Sequence, residues 1–121
     1  MWPYPDRPPR LASPEETPNP IQKRLNEAIE RVGISQRNLG VRCGIDPSVA
    51  SSRVNHYCTG RHVPNFSVLA RMAVVLKVPV AYFYTPDDDM ARLLVSYYLL
   101  PARARKELAR TSERLLGRND S

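Results

Sequence analysis

From Ile34 to Gly60 the chain reads I-S-Q-R-N-L-G-V-R-C-G-I-D-P-S-V-A-S-S-R-V-N-H-Y-C-T-G. This pattern predicts two short amphipathic helices joined by a turn at Gly44. Ser35 is a helix N-cap, with Ile34 before it and Leu39 at the fourth helical position as a hydrophobic staple. Leu39 and Cys43 face inward, and Gly44 supplies the left-handed residue that ends the first helix. Asp46-Pro47 is a cap followed by proline at the first helical position, so it opens the second. Ala50, Val54, Tyr57 and Cys58 recur at i, i+4, i+7 and i+8, which places them on one face and carries this helix over about 47–58. Ser51 or Ser52 would cap a shorter version of it.

The segments around this unit predict further helices. Asn19-Pro20 is another cap-plus-proline start, followed by Ile21, Leu25, Ala28, Ile29 and Val32 on one face and Gly33 at the end. After the extended link Arg61-His62-Val63-Pro64, Asn65 caps a helix with a stripe of Phe66, Leu69, Ala70, Ala73 and Leu76. Lys77-Val78-Pro79 breaks it, and Val80 to Tyr84 makes one short turn packed through Val80 and Phe83. Thr85-Pro86-Asp87-Asp88-Asp89 starts the next helix with a cap, a proline and acids that complement the helix dipole. Met90, Leu93, Leu94, Tyr97 and Tyr98 follow at helical spacing. Pro101 interrupts, and Ala104, Leu108, Thr111 and Leu115 define a last helix ending at Gly117. The expected fold is all-α: a five-helix domain with one or two extra C-terminal helices.

A chain of 121 residues suits one such domain. Residues 1–19 form a proline-rich leader, since seven of the twelve prolines lie in the first twenty residues and such a segment sustains neither helix nor ladder. It is either an unstructured leader or an arm that touches DNA or a partner through Trp2, Tyr4, Arg7 and Arg10. Residues 20–84 make the domain that holds the 34–60 helix pair, expected to bind DNA; 85–116 are the C-terminal helices, both expected to serve dimerisation; and 117–121 are a frayed tail. The net charge of +6 is uneven. Residues 21–64 carry Lys23, Arg24, Arg31, Arg37, Arg42, Arg53 and Arg61 against Glu27, Glu30 and Asp46, which favours a polyanionic partner there.

The outward side of the 47–58 helix holds Ser51, Ser52, Arg53, Asn55 and His56. Short hydrogen-bonding groups with an arginine are the chemistry of a helix offered to a DNA major groove, where Asn pairs with adenine and Arg with guanine. No acid follows the helix's cap. For each residue singly, a solvated helix face is the competing reading.

Other chemistries lack support. No glycine-rich phosphate loop, nucleophile elbow or paired carboxylates are present, so no enzyme and no cofactor is expected. A zinc site would need Cys43, His56, Cys58 and His62, whose spacing fits no common finger; Cys43 reads as a buried free thiol. Three consecutive aspartates at 87–89 point in different directions and read as a helix start rather than a metal site. Two cysteines make no disulfide framework, and no apolar run approaches the ~18 residues of a membrane span. Met1 to Pro5 lacks a signal peptide's pattern, so the chain is expected to be cytoplasmic.

Taken in order, Gly33-Ile34-Ser35-Gln36, Leu39, Cys43-Gly44-Ile45, Gly60-Arg61 with Pro64, Leu69-Ala70 and Leu76-Lys77-Val78 resemble the lambda-repressor-like (Cro/repressor, or XRE) helix-turn-helix proteins. The resemblance covers roughly residues 21–84. Family members commonly carry alanine where this chain has Gly40 and glutamate where it has Cys58, and the stretch from Gly44 to Gly60 is longer than their commoner pattern. Arg53-Val54-Asn55-His56-Tyr57 matches a sub-pattern instead.

The resemblance implies a double-stranded-DNA-binding transcriptional regulator, of repressor type, whose second helix enters the major groove while the first crosses the backbone. The candidate DNA-contacting residues are Gln36, Arg37, Ser48, Ser51, Ser52, Arg53, Asn55, His56, Arg61 and His62. Gln36, Arg37, Arg61 and His62 fall where phosphate would pass. Such proteins pair on two-fold sites, and Leu93, Leu94, Tyr97, Leu99 and Leu100 offer surplus apolar surface for a homodimer, unless that surface caps the same subunit's core. The alternative function is an antitoxin or interaction module that binds a partner protein, with or without DNA.

Overall fold

A computed structural model describes residues 18–118; the expectations for the leader's Trp2, Tyr4, Arg7 and Arg10 and for the last three residues lie outside them. The described residues are all-α, as expected. Helix α1 spans Ile21–Val32, α2 Gln36–Arg42, α3 Pro47–Cys58 and α4 Phe66–Leu76. A 3₁₀ turn at Val80–Tyr84 follows, then α5 at Asp88–Leu99 and α6 at Ala102–Leu115. Residues 19–99 make one compact unit, and α6 with its flanks belongs to a second.

Local chemistry starts these helices where the caps lie. The Asn19 carboxamide accepts from the Ile21 N–H at 2.9 Å. Ser35 Oγ accepts from Asn38 N–H at 3.0 Å, and Asn65 Oδ1 from Val68 N–H at 2.9 Å. Each satisfies an orphan donor of a first turn, worth about 1 kcal/mol. Gly33 and Gly44 end α1 and α2 with φ of 76° and 87°, a region where a side chain would be strained.

The core of the first unit gathers Leu25, Ala28, Leu39, Ala50, Val54, Leu69, Met72, Leu76, Val78 and Phe83, all essentially inaccessible. Each large apolar side chain among them contributes about 1.5–3 kcal/mol by leaving water. Three expectations need correction here. Phe66 is 61% exposed while Met72 is buried, so the inward stripe of α4 is Leu69-Met72-Ala73-Leu76 and its first turn projects beyond the core. Val32 is exposed, the last residue of α1 before the Gly33 cap. The cap of α5 is Asp87, which accepts from Met90 N–H at 2.8 Å. Thr85 is buried and its hydroxyl donates to the Ala81 carbonyl at 2.7 Å.

One charged group is also buried. Arg24 on α1 is 2% exposed, and its guanidinium closes the junction between the 3₁₀ turn and α5. Nε donates to the Thr85 carbonyl at 2.8 Å and Nη2 to the Pro86 carbonyl at 2.9 Å. Nη1 reaches Glu27 and Nη2 reaches Asp88, both at 2.9 Å. Burial pulls the Arg24 pKa down, but the bonds from Glu27 and Asp88 outweigh it and the value is raised, so this cation stays charged wherever the protein is folded. The Tyr82 hydroxyl donates to the same Glu27 carboxylate. On α5 only Ala91 is buried, with Val95 packed on the core. Met90, Leu93, Tyr97 and Leu99 are exposed and Leu94 is half-buried.

Candidate nucleic-acid interface

Helix α3 starts at Pro47, the longer of the two expected versions, because Asp46 holds its first turn. Asp46 Oδ1 accepts from the Ser48 N–H at 2.8 Å and the Ser48 hydroxyl at 2.7 Å. The hydroxyl bond, then the backbone one, holds the Asp46 carboxyl below the usual aspartate value. A carboxylate lowered in this way contributes stability that is complete above its unfolded value, about 3.9, and is lost as pH falls through the folded one. Asp46→Ala is therefore expected to melt below the parent protein at neutral pH, and the gap to close in acid. Melting curves from about pH 7 down to about pH 2 check this. A gap that persists undiminished in acid would assign the effect to something other than the carboxylate.

The inner side of α3, Ala50, Val54 and Cys58, is buried against the core. It packs close against α2 at Gly40, where only the Ala50 methyl and backbone stand opposite. A Cβ added to Gly40 would lie 2.8 Å from Ala50 Cβ and 3.1 Å from the Ala50 carbonyl oxygen. The far end of α3 is held from α1, where Asn26 donates its amide to the Cys58 carbonyl at 2.9 Å. Both ends of the helix are thus fixed by contacts from other helices, outside its outward side.

What remains outward is a polar strip. Ser48, Ser51, Ser52, Arg53 and Asn55 are exposed and His56 is half-buried. At 3.6 residues per turn, with Ala50, Val54 and Cys58 inward, Ser52 and His56 lie nearest the middle of the outward side with Val49 and Ser48 beside them; Arg53 and Asn55 flank it on opposite sides, and Ser51 lies beyond Asn55. The Ser48 hydroxyl proton is committed to Asp46, which leaves that oxygen as an acceptor only. Val49, Ser52, Arg53 and His56 also line a shallow groove of about 450 Å³, closed on its other side by His62, Val63 and Asn65.

The link after α3 is tied to it. The His62 N–H donates to the His56 carbonyl at 3.1 Å, and the two imidazoles meet edge to face with centroids 5.2 Å apart. Arg61, His62 and, on α2, Arg37 are exposed. Gln36 is half-buried and hydrogen-bonds the Cys58 thiol, a contact that partly offsets burial, which raises the thiol's pKa. Its amide is therefore engaged inside the fold as well as placed at the start of α2. Burial likewise raises Cys43, against nearby Arg71 and Arg42. Among the described residues no three potential metal ligands come together.

Two features of this surface were not anticipated from the residues. Val49 is 40% exposed on the outward side of α3, one turn before Arg53. An apolar group there suits a thymine methyl, and the Asp46-Pro47 start already implied its position. Asn26 carried no sequence signal, since its partner is a backbone carbonyl on another helix.

The site now has a context. A family model described as a helix-turn-helix domain matches residues 23–82. Among solved structures, the transcriptional regulator BswR is similar, with 41% sequence identity and a TM-score of 0.76. The match covers 80% of this chain and 96% of that one. Comparison with curated proteins found no match.

Proposed function

Since the chain belongs to the helix-turn-helix transcriptional regulators of the XRE type, we propose that it is a repressor that reads duplex DNA as a homodimer, with α3 in the major groove. The observation that carries this is the outward strip of α3. It is free of carboxylates beyond the cap, rich in short hydrogen-bonding groups, and mounted on a helix anchored at Gly40 and Asn26. Asn55 and Arg53 are the base-reading residues, and Arg37, Arg61 and His62 hold phosphate. Ser48, Ser51, Ser52 and Val49 complete the contact through close approach to base edges. No helix among the described residues is long and apolar enough to cross a membrane.

Pairing follows from geometry on the DNA. One module spans few base pairs, so two-fold sites one helical turn apart give useful specificity. The outward apolar row of α5, Met90, Leu93 and Tyr97, supports that helix as the interface, with Leu94 and Leu100 at its margin; Leu99 is exposed at the helix end but on the other side in phase.

The test is a titration of the duplex from the gene's own upstream region against a shuffled duplex. The native duplex is expected to bind tighter. Asn55→Ala and Arg53→Ala should each cost about 1–3 kcal/mol on it, a factor of roughly 5 to 150, and much less on the shuffled one. Equal losses on both duplexes would remove α3 from base reading. Absence of binding to any duplex, including ones selected from random sequence, would turn the reading toward a partner protein.

A further inference from the structure

Helix α6 carries cations in a pattern that the reading of α3 does not use. Arg103, Lys106, Arg110 and Arg114 are spaced three, four and four residues apart. At 3.6 residues per turn they form one row within about 80° of arc and about 17 Å long. All four are exposed. None has an ion pair or side-chain hydrogen bond among the described residues. Glu107 lies at the edge of the row without pairing any of them, and Glu113 is taken by Arg118 at 2.8 Å.

Such a row is unfavourable for the helix itself. Arg103–Lys106, Lys106–Arg110 and Arg110–Arg114 are like-charged neighbours at i,i+3 or i,i+4, which destabilise a helix. The small and apolar residues Ala104, Leu108, Thr111 and Leu115 lie on a different side, so the row is not needed to cover them. That side includes alanine and threonine and no aromatic, unlike a helix built to lie in a membrane surface. A polyanion with closely spaced charges relieves the repulsion, and duplex DNA offers one charge per about 1.7 Å of axis.

We propose that the α6 row is a second DNA-contacting element, a sequence-independent clamp on the phosphate backbone that adds affinity to the base reading by α3. It rests on the reading of the chain as a DNA-binding regulator. Its signature is specific: phosphate contacts release counterions and steepen the salt dependence of binding without changing preference among sequences.

The experiment uses the full chain in three forms. One is the parent, one carries Arg103→Gln, Lys106→Gln, Arg110→Gln and Arg114→Gln, and one keeps the charge through Arg103→Lys, Arg110→Lys and Arg114→Lys. Each is titrated with native and shuffled duplexes at several salt concentrations, with circular dichroism and sedimentation confirming equal helicity and mass. The Gln form is expected to show a salt slope flatter by about 0.9 for each phosphate it no longer neutralises, at an unchanged ratio of native to shuffled affinity. The Lys form should keep the parent slope. Equal slopes in all three forms would overturn the proposal, as would a slope flattened alike in the Gln and Lys forms, which would mark a structural effect. A parent that binds with a steep slope but no preference for the native duplex would sink the regulator reading and leave the clamp standing.

Discussion

Replacing Arg24 with methionine is expected to lower the stability of the folded chain by about 3 kcal/mol, seen as a melting temperature lower by more than about 10 °C. The side chain is 2% exposed and carries four charge-assisted contacts, two to carbonyls of Thr85 and Pro86 and two to Glu27 and Asp88. A hydrogen bond to a charged group contributes about 1.5–3 kcal/mol, and a buried acceptor left unpaired costs about 1–3. The full sum is not expected, because Glu27 and Asp88 are about half exposed, at 42% and 56%, and water replaces the guanidinium there. Methionine preserves the apolar stem, so the loss reports the charged head.

Arg24→Lys should recover only a minor part of the loss. An ammonium is a single point, whereas these acceptors surround a planar fork that donates in several directions. Hydrogen exchange should show the change at α5 first, because Arg24 is what ties α1 to the start of that helix. A methionine variant within about 1 kcal/mol of the parent would mean that desolvating the guanidinium offsets nearly all it gains from its partners.

Arg24 also shows where a one-dimensional reading fails. The helix starts at Ser35, Asp46-Pro47 and Asn65 were legible because a cap and its partner lie within three residues, and all three hold in the structure. The buried faces of α2 and α3 were legible because their period is short and their composition clean. Arg24, by contrast, sits beside Lys23 and reads as the polar side of α1, while its backbone partners are more than sixty positions away. The same clamp explains why Thr85 is buried rather than capping α5. In α4 the apolar stripe was continued one turn too far, since Phe66 obeys the period but the core ends at Leu69. At the interface, exposure of Ser52, Arg53 and Asn55 followed from helix phase, whereas Ser51 lies only about 20° in phase from the buried Cys58 and is exposed nonetheless. Val49 was passed over because an apolar residue on a reading helix looks like core, and the second role of Gln36 depends on a thiol at the far end of α3.

Gly40 gives the sharpest contrast between local and tertiary logic. Alanine is the commoner residue there in proteins this chain resembles, and in an isolated helix Gly→Ala gains about 1 kcal/mol. Here the substitution is expected to destabilise instead, by about 1–2 kcal/mol net, since overpacking costs about 1–3. The new methyl would stand 2.8 Å from Ala50 Cβ and 3.1 Å from the Ala50 carbonyl. Neither obstacle is the end of a flexible side chain, so α2 and α3 must separate. Separation tilts the outward strip of α3 relative to Arg37 on α2, and specific DNA affinity should fall by more than the stability loss explains at temperatures where the variant is fully folded. Adding Ala50→Gly removes the nearer obstacle but not the carbonyl, so a double-mutant cycle should give a favourable coupling on the order of 1 kcal/mol with partial recovery of binding. A Gly40→Ala variant more stable than the parent, with unaltered affinity, would show that the two helices can part at no cost and that their close approach at Gly40 and Ala50 does not set the pose of α3.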